Sequence, residues 1–367
     1  MYIQNIVQFH KCNEVIVNKS TTNIMNNDFK TYFIKLYIFF CVINASISYY
    51  QPECSSIQRT KFTSLQARPA YGSYLERMVE RKKIQVENTL RRHQEPDDPL
   101  VMRMSYMVTQ SFFNITNSLR IEPEDGDDGL KTMSVLVDMK RQSPTIPDKR
   151  NIVEFSNAGK FSELLTLAGA DAFLINTDDV EYGGREDDLL AACQSVRLIK
   201  PNKPPCCIHK DIIIHPVQIA QALERGATGV LLIVAVVGGD LEVLLNACTI
   251  MGVEAIVEVH TPNELEFALG KGATIFMVNR WDRMTGEFFP EQAKGLASMM
   301  PMNAVSIAAG NIKSLEEAAE LSFYGYDGVV LGRAISELPD VKQYIKDIHD
   351  VKAPPRGFGM GMKGMPF

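Results

Sequence analysis

The chain has 367 residues, of which 46% are hydrophobic and 22% charged, and its formal net charge is −6. This composition is typical of a globular protein with a large core, and it excludes a disordered, collagen-like or disulfide-stapled chain. The chain has no surplus of basic residues, so we expect no nucleic-acid partner. The seven cysteines include no Cys-x-x-Cys pair, so we predict neither a disulfide scaffold nor a metal site.

Residues 1–72 are predicted to be a targeting leader. The apolar run Leu36–Ile43 is too short to cross a bilayer, which needs about 20 apolar residues. It has the length of a signal-peptide core, and small residues follow it at 45–48. Residues 49–72 then have the basic, Ser- and Thr-containing composition of a transit peptide. We therefore expect a bipartite leader to a plastid and a mature form without membrane contact; the alternative destination is the secretory pathway.

Residues 74–90 predict one amphipathic helix ahead of the main domain. Leu75, Met78, Ile84 and Leu90 recur at roughly helical spacing with charged residues between them. Residues 94–130 are largely polar and include an acidic run at 122–128, which we interpret as a solvated loop. The main domain is expected to span 73–350.

From residue 134 onward, short β-rich apolar runs alternate with helical patterns. Eight candidate strands occur, at Ser134–Asp138, Ala172–Asn176, Cys206–His209, Gly229–Val234, Ala255–Val259, Ile275–Asn279, Ala304–Ala308 and Gly328–Leu331. Helices are predicted between them, at Ile152–Ala168, Pro216–Arg225, Leu241–Met251, Asn263–Lys271 and Ser314–Tyr324. Eight βα units predict an α/β protein of the (β/α)8 TIM-barrel class with extra N-terminal helices. The alternative, an open doubly wound sheet, lacks its usual Gly-x-Gly-x-x-Gly turn after the first strand.

Charged side chains stand at the ends of three strands, where TIM barrels carry out their chemistry. Asp138 and Lys140 are two residues apart, so both face the barrel interior, as reacting groups or as a structural ion pair. Lys210 follows the third apolar run and is a candidate general acid or Schiff-base amine, with a surface lysine as the alternative. Glu258 in the fifth strand is a candidate base.

The last three strands offer groups that suit a phosphorylated sugar. Asn279 ends the sixth strand and can bind a polar substrate. Gly310 and Gly332 follow the seventh and eighth strands, where barrels hold phosphate on backbone N–H groups, and Arg333 adds charge. Together these residues fit acid–base chemistry on a sugar phosphate.

Several segments resemble the indole-3-glycerol-phosphate synthase family, over roughly residues 74–350. The segments are VDMKRQSPT at 137–145, LINTDDVEYGGREDDL at 174–189, HKDIIIHPVQI at 209–219, GATGVLLIVAVV at 226–237 and VEAIVEVHTPNELEFAL at 253–269. The third and fifth are the most specific. The family closes the indole ring of 1-(2-carboxyphenylamino)-1-deoxyribulose 5-phosphate with loss of CO2 and water, and it uses no cofactor.

The resemblance implies roles for individual residues. Lys210 matches the general acid that protonates the ketone oxygen, and Lys140 matches the lysine that binds the anionic groups of the substrate. Glu258 matches the base of the later dehydration. Further matches at substrate-binding positions are Asp138, Ser143, Pro144 and Asn279, and those at phosphate-binding positions are Gly310 and Gly332, beside Arg333.

The chain also departs from the family pattern. The family has Glu where Asp138 stands and Asn-Asn-Arg where 279–281 read Asn-Arg-Trp. Ala308 and Ala309 replace Glu-Ser, so we expect the pocket to lack a carboxylate and a hydroxyl. Arg333 stands where a small or acidic residue is usual. A shift of about an ångström in the substrate can lower the rate on the order of a hundredfold. The alternatives to an active synthase are therefore a weakened or inactive paralogue that serves as a binding or structural subunit, and a different sugar-phosphate lyase or isomerase.

Residues 351–367 are expected to form a tail outside the barrel. The stretch from 356 to 367 is rich in Gly and Met and cannot build a core. Such a tail either docks on a protein partner or frays in solution.

Overall fold

The computed structural model describes residues 72–108, 114–119, 130–144, 153, 155–354 and 356. The predicted leader, except for Gly72, lies outside these residues, as do the acidic run at 122–128 and the tail from 357 onward. All the described residues belong to one unit of the chain, Gln66–Phe367. Among them, no helix combines the length and apolar character that a bilayer crossing requires.

Eight parallel strands form a closed barrel in which each strand pairs with the next and the last pairs with the first. The strands are β1 (Ser134–Met139), β2 (Ala172–Asn176), β3 (Cys206–Lys210), β4 (Gly229–Ile233), β5 (Glu254–Val259), β6 (Ile275–Asn279), β7 (Val305–Ala309) and β8 (Gly328–Leu331). Each lies within one residue of its predicted bounds. The closed order confirms the (β/α)8 barrel and excludes the open sheet.

Within the part of the chain that the structure describes, three helices precede the barrel, and the others alternate with its strands. The helices are α1 (Gly72–Arg92), α2 (Pro99–Ser105), α3 (Ile115–Leu119), α4 (Ala158–Ala168), α5 (Glu186–Ile199), α6 (Pro216–Glu224), α7 (Val234–Val237), α8 (Leu241–Ile250), α9 (Pro262–Gly270), α10 (Gln292–Ala297), α11 (Leu315–Phe323), α12 (Ala334–Glu337) and α13 (Val341–His349). The helices α2 and α3 lie within residues 94–130, for which the sequence indicated only a largely polar character.

The strands are buried on both faces, as an all-parallel sheet requires. Alternate residues such as Leu174 and Ile208 fill the barrel interior. Their neighbours, such as Phe173 and Cys207, pack between strands and helices. Because the period is two, each polar residue at a strand end is assigned to one of these faces by its position alone.

Short polar caps set the ends of the surrounding helices. Asn157 accepts a hydrogen bond from the Lys160 amide, so α4 begins at Ala158 and not at the predicted Ile152. At the other end of α4, Gly169 has a φ of 111°, a left-handed conformation that favours glycine. Gly226 and Gly272, which follow α6 and α9, also have positive φ.

A polar cluster, which we call the bottom clasp, links the two ends of the barrel-forming segment. It consists of Lys131, Asp327 and Arg356. The carboxylate of Asp327 accepts from Lys131 Nζ at 2.9 Å and from Arg356 Nη2 at 3.2 Å. Two-residue strands, Lys131–Thr132 and Lys352–Ala353, pair antiparallel beside it. Contacts with the barrel therefore extend past residue 350, as far as Arg356.

Candidate active site

A pocket of about 120 Å³ opens at the carboxyl ends of the strands. Nine of the ten predicted site residues line it: Asp138, Lys140, Ser143, Pro144, Lys210, Asn279, Gly310, Gly332 and Arg333. The tenth, Glu258, lies behind Arg283 and is fully buried. The structure thus brings the residues of five different strands to one end of the barrel.

Asp138 holds two lysines at the pocket wall. Its Oδ2 accepts from Lys140 Nζ at 2.5 Å, and its Oδ1 accepts from Lys210 Nζ at 2.8 Å. Asn176 Nδ2 donates to the same Oδ1 at 2.9 Å. Because both carboxylate oxygens are engaged, the two ammonium groups are fixed side by side. We call Asp138, Lys140 and Lys210 the lysine cluster.

Burial changes the proton affinity of this cluster. It lowers the pKa of Lys210 to about 8, because desolvation of the ammonium outweighs the attraction of Asp138. Burial would raise the pKa of Asp138, but Lys140 and Lys210 together hold that pKa well below its ordinary value. Near neutral pH the lysine cluster therefore contains a carboxylate and an ammonium that releases its proton readily.

Glu258 is enclosed by donors. Arg283 forms a bidentate pair with it, with Nε–Oε1 at 2.5 Å and Nη2–Oε2 at 2.9 Å. His260 Nε2 lies 3.1 Å from Oε1, and Asn279 Nδ2 donates to Oε1 at 3.2 Å. Burial would raise the pKa of Glu258, but Arg283 and His260 hold it well below the ordinary value. Glu258 is thus a carboxylate of weak basicity while Arg283 stays in place.

Sequence reasoning missed Arg283 and its partner Tyr182. Arg283 lies in the loop after β6, and its Nη1 donates to the Tyr182 hydroxyl oxygen at 2.6 Å. Both residues line the pocket. The only sequence signal was the Arg-Trp-Asp-Arg run at 280–283, in which a second arginine follows Arg280. Loop residues have no fixed period, so the pattern alone did not assign this side chain to the pocket.

Arg280 stands one position before the arginine of the family pattern, and it does not line the pocket. Its Nε donates to the Gly310 carbonyl at 2.8 Å, and its Nη1 donates to Glu317 at 2.6 Å. Gly310 has a φ of 98°, and a Cβ there would lie 3.0 Å from Asn279 Oδ1. Arg280 therefore fixes the glycine turn after β7 from behind.

The pocket wall at the ends of β7 and β8, beside Asp138, is suited to an anion. Gly310, Gly332, Lys313 and Arg333 lie together there, at the ends of β7 and β8. Arg333 Nε is buried, and it makes no hydrogen bond within the part of the chain that the structure describes. A buried, unpaired guanidinium nitrogen beside two glycines is a suitable place for a phosphate group.

The two alanines of β7 do not have the same surroundings. Ala309 lines the pocket, whereas Ala308 packs in the layer between strands and helices. The expectation that the Ala308 position also removes a pocket group is therefore wrong, because the strand period turns that side chain outward. Of these two replacements, only the one at Ala309 changes the pocket.

The helix α1 covers the pocket and is held in place by charge. Its Leu75 and Met78 line the pocket. Lys82 lies on the same helix face, where it pairs with Asp211 at 2.8 Å, and Ile84 is 61% exposed. The predicted apolar face was therefore wrong at Ile84, because a paired lysine occupies the buried position. No group of three or more His, Cys, Asp or Glu side chains suited to a metal ion occurs among the described residues.

The family model of indole-3-glycerol phosphate synthase matches residues 75–348. The chain is 31% identical over 238 residues to a protein of Opitutus terrae named indole-3-glycerol phosphate synthase, covering 64% of this chain and 88% of the relative. A Lactococcus lactis protein of the same name is 30% identical, with coverages of 59% and 79%. The match spans the whole barrel and α1, so the chain belongs to the indole-3-glycerol phosphate synthase family.

Proposed function

We propose that the chain is an active indole-3-glycerol-phosphate synthase. It closes the indole ring of 1-(2-carboxyphenylamino)-1-deoxyribulose 5-phosphate and releases CO2 and water. The observation that carries the proposal is the lysine cluster, in which Lys210 and Lys140 share one buried carboxylate at the pocket wall. This chemistry is a sequence of proton transfers and one ring closure, so the pocket residues supply it without a cofactor.

Lys210 acts first in this scheme. Its lowered pKa of about 8 leaves it protonated near neutral pH and able to give its proton to the ketone oxygen. The aromatic ring carbon then attacks the ketone carbon. Lys140, with 20% of its side chain exposed, is free to swing from Asp138 toward the substrate carboxylate. The phosphate lies near Gly310, Gly332 and Arg333.

Glu258 acts in the dehydration as a carboxylate. Arg283 covers it, and the pocket of about 120 Å³ is smaller than the 300 Å³ or more that is typical of ligand sites. Entry of the substrate therefore requires Arg283 or α1 to move. The substrate carboxylate is a suitable alternative partner for the Arg283 guanidinium, and this exchange would uncover Glu258.

The bidentate Arg283–Glu258 pair also favours a second candidate function, a non-catalytic barrel. A pair that stayed closed would exclude the substrate and leave a binding or structural subunit. The missing pocket group at Ala309 fits this candidate as well. A repurposed sugar-phosphate lyase or isomerase remains the third reading.

Turnover of the full-length protein distinguishes these functions. We expect indole fluorescence to develop from the anilino-deoxyribulose phosphate and to be lost in Lys210→Ala. In Arg283→Met, an active enzyme loses rate because the substrate carboxylate loses its partner, whereas a closed pocket gains rate because it opens. If the folded wild type shows no turnover and Arg283→Met is active, the barrel is the closed, non-catalytic form. That result contradicts the proposal.

For the leader we propose delivery to a plastid. Its support is the apolar core at 36–43 followed by the basic segment at 49–72. Fusion of residues 1–72 to a fluorescent protein should place the fluorescence in plastids of an algal cell. Secretion of the fusion would favour the alternative destination. A protein partner for the Gly- and Met-rich residues 357–367 likewise stays a prediction.

A further inference from the structure

A second cavity lies under α1, on the outer side of the barrel. Its volume is about 440 Å³, and it shares no lining residue with the active-site pocket. Its walls come from α1, from the start of α5 and from α6, and its floor comes from the ends of β2 and β3. A cavity of this size holds a small organic molecule.

His209 forms part of the cavity floor and is only 8% exposed. The Thr177 hydroxyl donates its single hydrogen to Asp211 Oδ2 at 2.7 Å. Its contact with His209 Nε2 at 2.8 Å must therefore be a hydrogen bond that the imidazole donates. Burial lowers the pKa of His209 to about 4, so the ring is neutral near pH 7. In that tautomer, Nδ1 carries a lone pair and accepts.

Nδ1 of His209 has no hydrogen-bond partner within the residues that the structure describes. A buried acceptor without a donor is unfavourable by roughly 1–3 kcal/mol, and native proteins rarely leave one. Nδ1 is itself shielded from solvent, so a donor in the cavity reaches it only with a shift of the side chains at the floor. What the floor lacks is one donated hydrogen.

The cavity walls are polar and slightly cationic. Lys82, Arg92 and Arg225 line it, against the carboxylates of Asp211 and Glu186. Lys82 pairs with Asp211, and Arg225 pairs with Glu186, which leaves Arg92 at the exposed mouth as the excess positive charge. Amide side chains lie around the mouth, at Gln85, Asn88 and Gln221.

We propose that this cavity is a second binding site, for a small organic anion that carries a hydroxyl group. The hydroxyl donates to His209 Nδ1, and the anionic group lies against Arg92. The excess positive charge would repel a cation, and an apolar molecule would leave Nδ1 without a donor. This second site does not depend on the function of the active-site pocket.

The site has a structural route to the active site. The same helix, α1, lines this cavity with Gln85 and Arg92 and the active-site pocket with Leu75 and Met78. A ligand that bridges α1 and α6 would hold α1 against the barrel. Occupancy should therefore favour the closed position of the helix that covers the catalytic pocket.

Glycerol 3-phosphate is a direct probe, because it combines hydroxyl groups with an anion. We expect its addition to the full-length protein to move the 15N resonance of His209 Nδ1 in a saturable way, in the direction of an accepted hydrogen bond. The variant His209→Gln identifies the resonance among the six histidines. Sulfate, an anion without a donor, should leave the resonance unmoved, and glycerol should act only at about tenfold higher concentration.

Two neighbouring arginines provide the matched comparison. Arg92→Ala should weaken binding about tenfold, because it removes the charge at the mouth. Arg91→Ala makes the same change on the same helix but at a residue that pairs with Glu87 in solvent, so binding should be unchanged. The proposal is overturned if the Nδ1 resonance does not move at saturation. Binding at the active-site pocket alone would give that result. Equal binding by the two variants also overturns it, as does a response to glycerol at the same concentration, since water-like donors would then suffice.

Discussion

Asp138 controls the proton affinity of Lys210 through a single shared oxygen. The two groups are 2.8 Å apart, and Lys140 contacts the other oxygen. Burial lowers the pKa of Lys210, Asp138 raises it, and Lys140 lowers it further. The residue that donates the first proton is therefore tuned from both sides by its immediate neighbours.

This arrangement predicts the pH dependence of turnover. A general acid must be protonated, so the rate should fall as the pH rises through about 8, the pKa of Lys210. Asp138→Asn removes the group that raises this pKa and should move the alkaline limb to lower pH. Lys140→Met removes a group that lowers the pKa and should move the limb to higher pH. The measurement is the pH profile of kcat/KM for the three proteins. A limb that stays at one pH in all three would show that another group titrates.

At the scale of the element, α1 depends on a buried lysine. Lys82 contacts Asp211 at 2.8 Å and Asp178 at 3.4 Å, and burial leaves all three groups with little water. Removing one partner from a buried ion pair typically destabilises by about 3–5 kcal/mol. The docking of the helix over the pocket is therefore sensitive to this one side chain.

We predict that Lys82→Met raises hydrogen exchange throughout α1 and raises KM, because Leu75 and Met78 no longer cover the pocket. Lys83→Met is the matched control, since Lys83 is exposed and pairs with Glu80. Exposed pairs contribute at most about 1 kcal/mol, so this variant should behave as the wild type. Equal exchange in the two variants would contradict the anchoring role of Lys82.

The strand β7 permits a second test, because its two alanines face opposite sides. Ala309→Ser adds a hydroxyl to the pocket and should leave the free energy of unfolding within about 1 kcal/mol of the wild type. Ala308→Glu places a carboxylate in the apolar layer and should destabilise by several kcal/mol. Urea unfolding measures both changes. A stable Ala308→Glu protein would show that this position reaches water.

The same elements show what the sequence could predict. Strand periodicity predicted β1 to β8, and it turned Asp138 and Lys140 toward the pocket, because position in a strand determines the face. The loop residues Ser143 and Pro144 came from the family resemblance and not from periodicity. Arg283 was missed because it acts from a loop. Lys82 was missed because a charged residue is expected on the exposed face of a helix, whereas this one is buried. Both depend on partners distant in sequence, Glu258 and Asp211, which local patterns do not contain.

At the scale of the whole molecule, the bottom clasp is the contact whose loss can be tested. Arg356 is 8% exposed and donates to the Gly325, Pro301 and Ala304 carbonyls as well as to Asp327. Ending the chain after residue 350 removes this side chain and leaves Asp327 with one cation fewer. We expect the free energy of unfolding to fall by about 3–5 kcal/mol.

A chain that ends after residue 356 is the control. It keeps the clasp and should unfold at the same urea concentration as the full chain. Turnover of the folded fraction should be unchanged in both, because the clasp lies at the opposite end of the barrel from the pocket. A loss of kcat in the shorter chain would show coupling between the two ends of the barrel.

The clasp also bears on the order of events during synthesis. Lys131 precedes β1, whereas Arg356 follows β8, so every barrel strand is made before their shared contact with Asp327 can form. Contacts between such distant residues form late and slowly in folding. The growing chain is therefore a set of strands without its final closure until residue 356 emerges. Strand edges that are still unpaired in that interval favour aggregation.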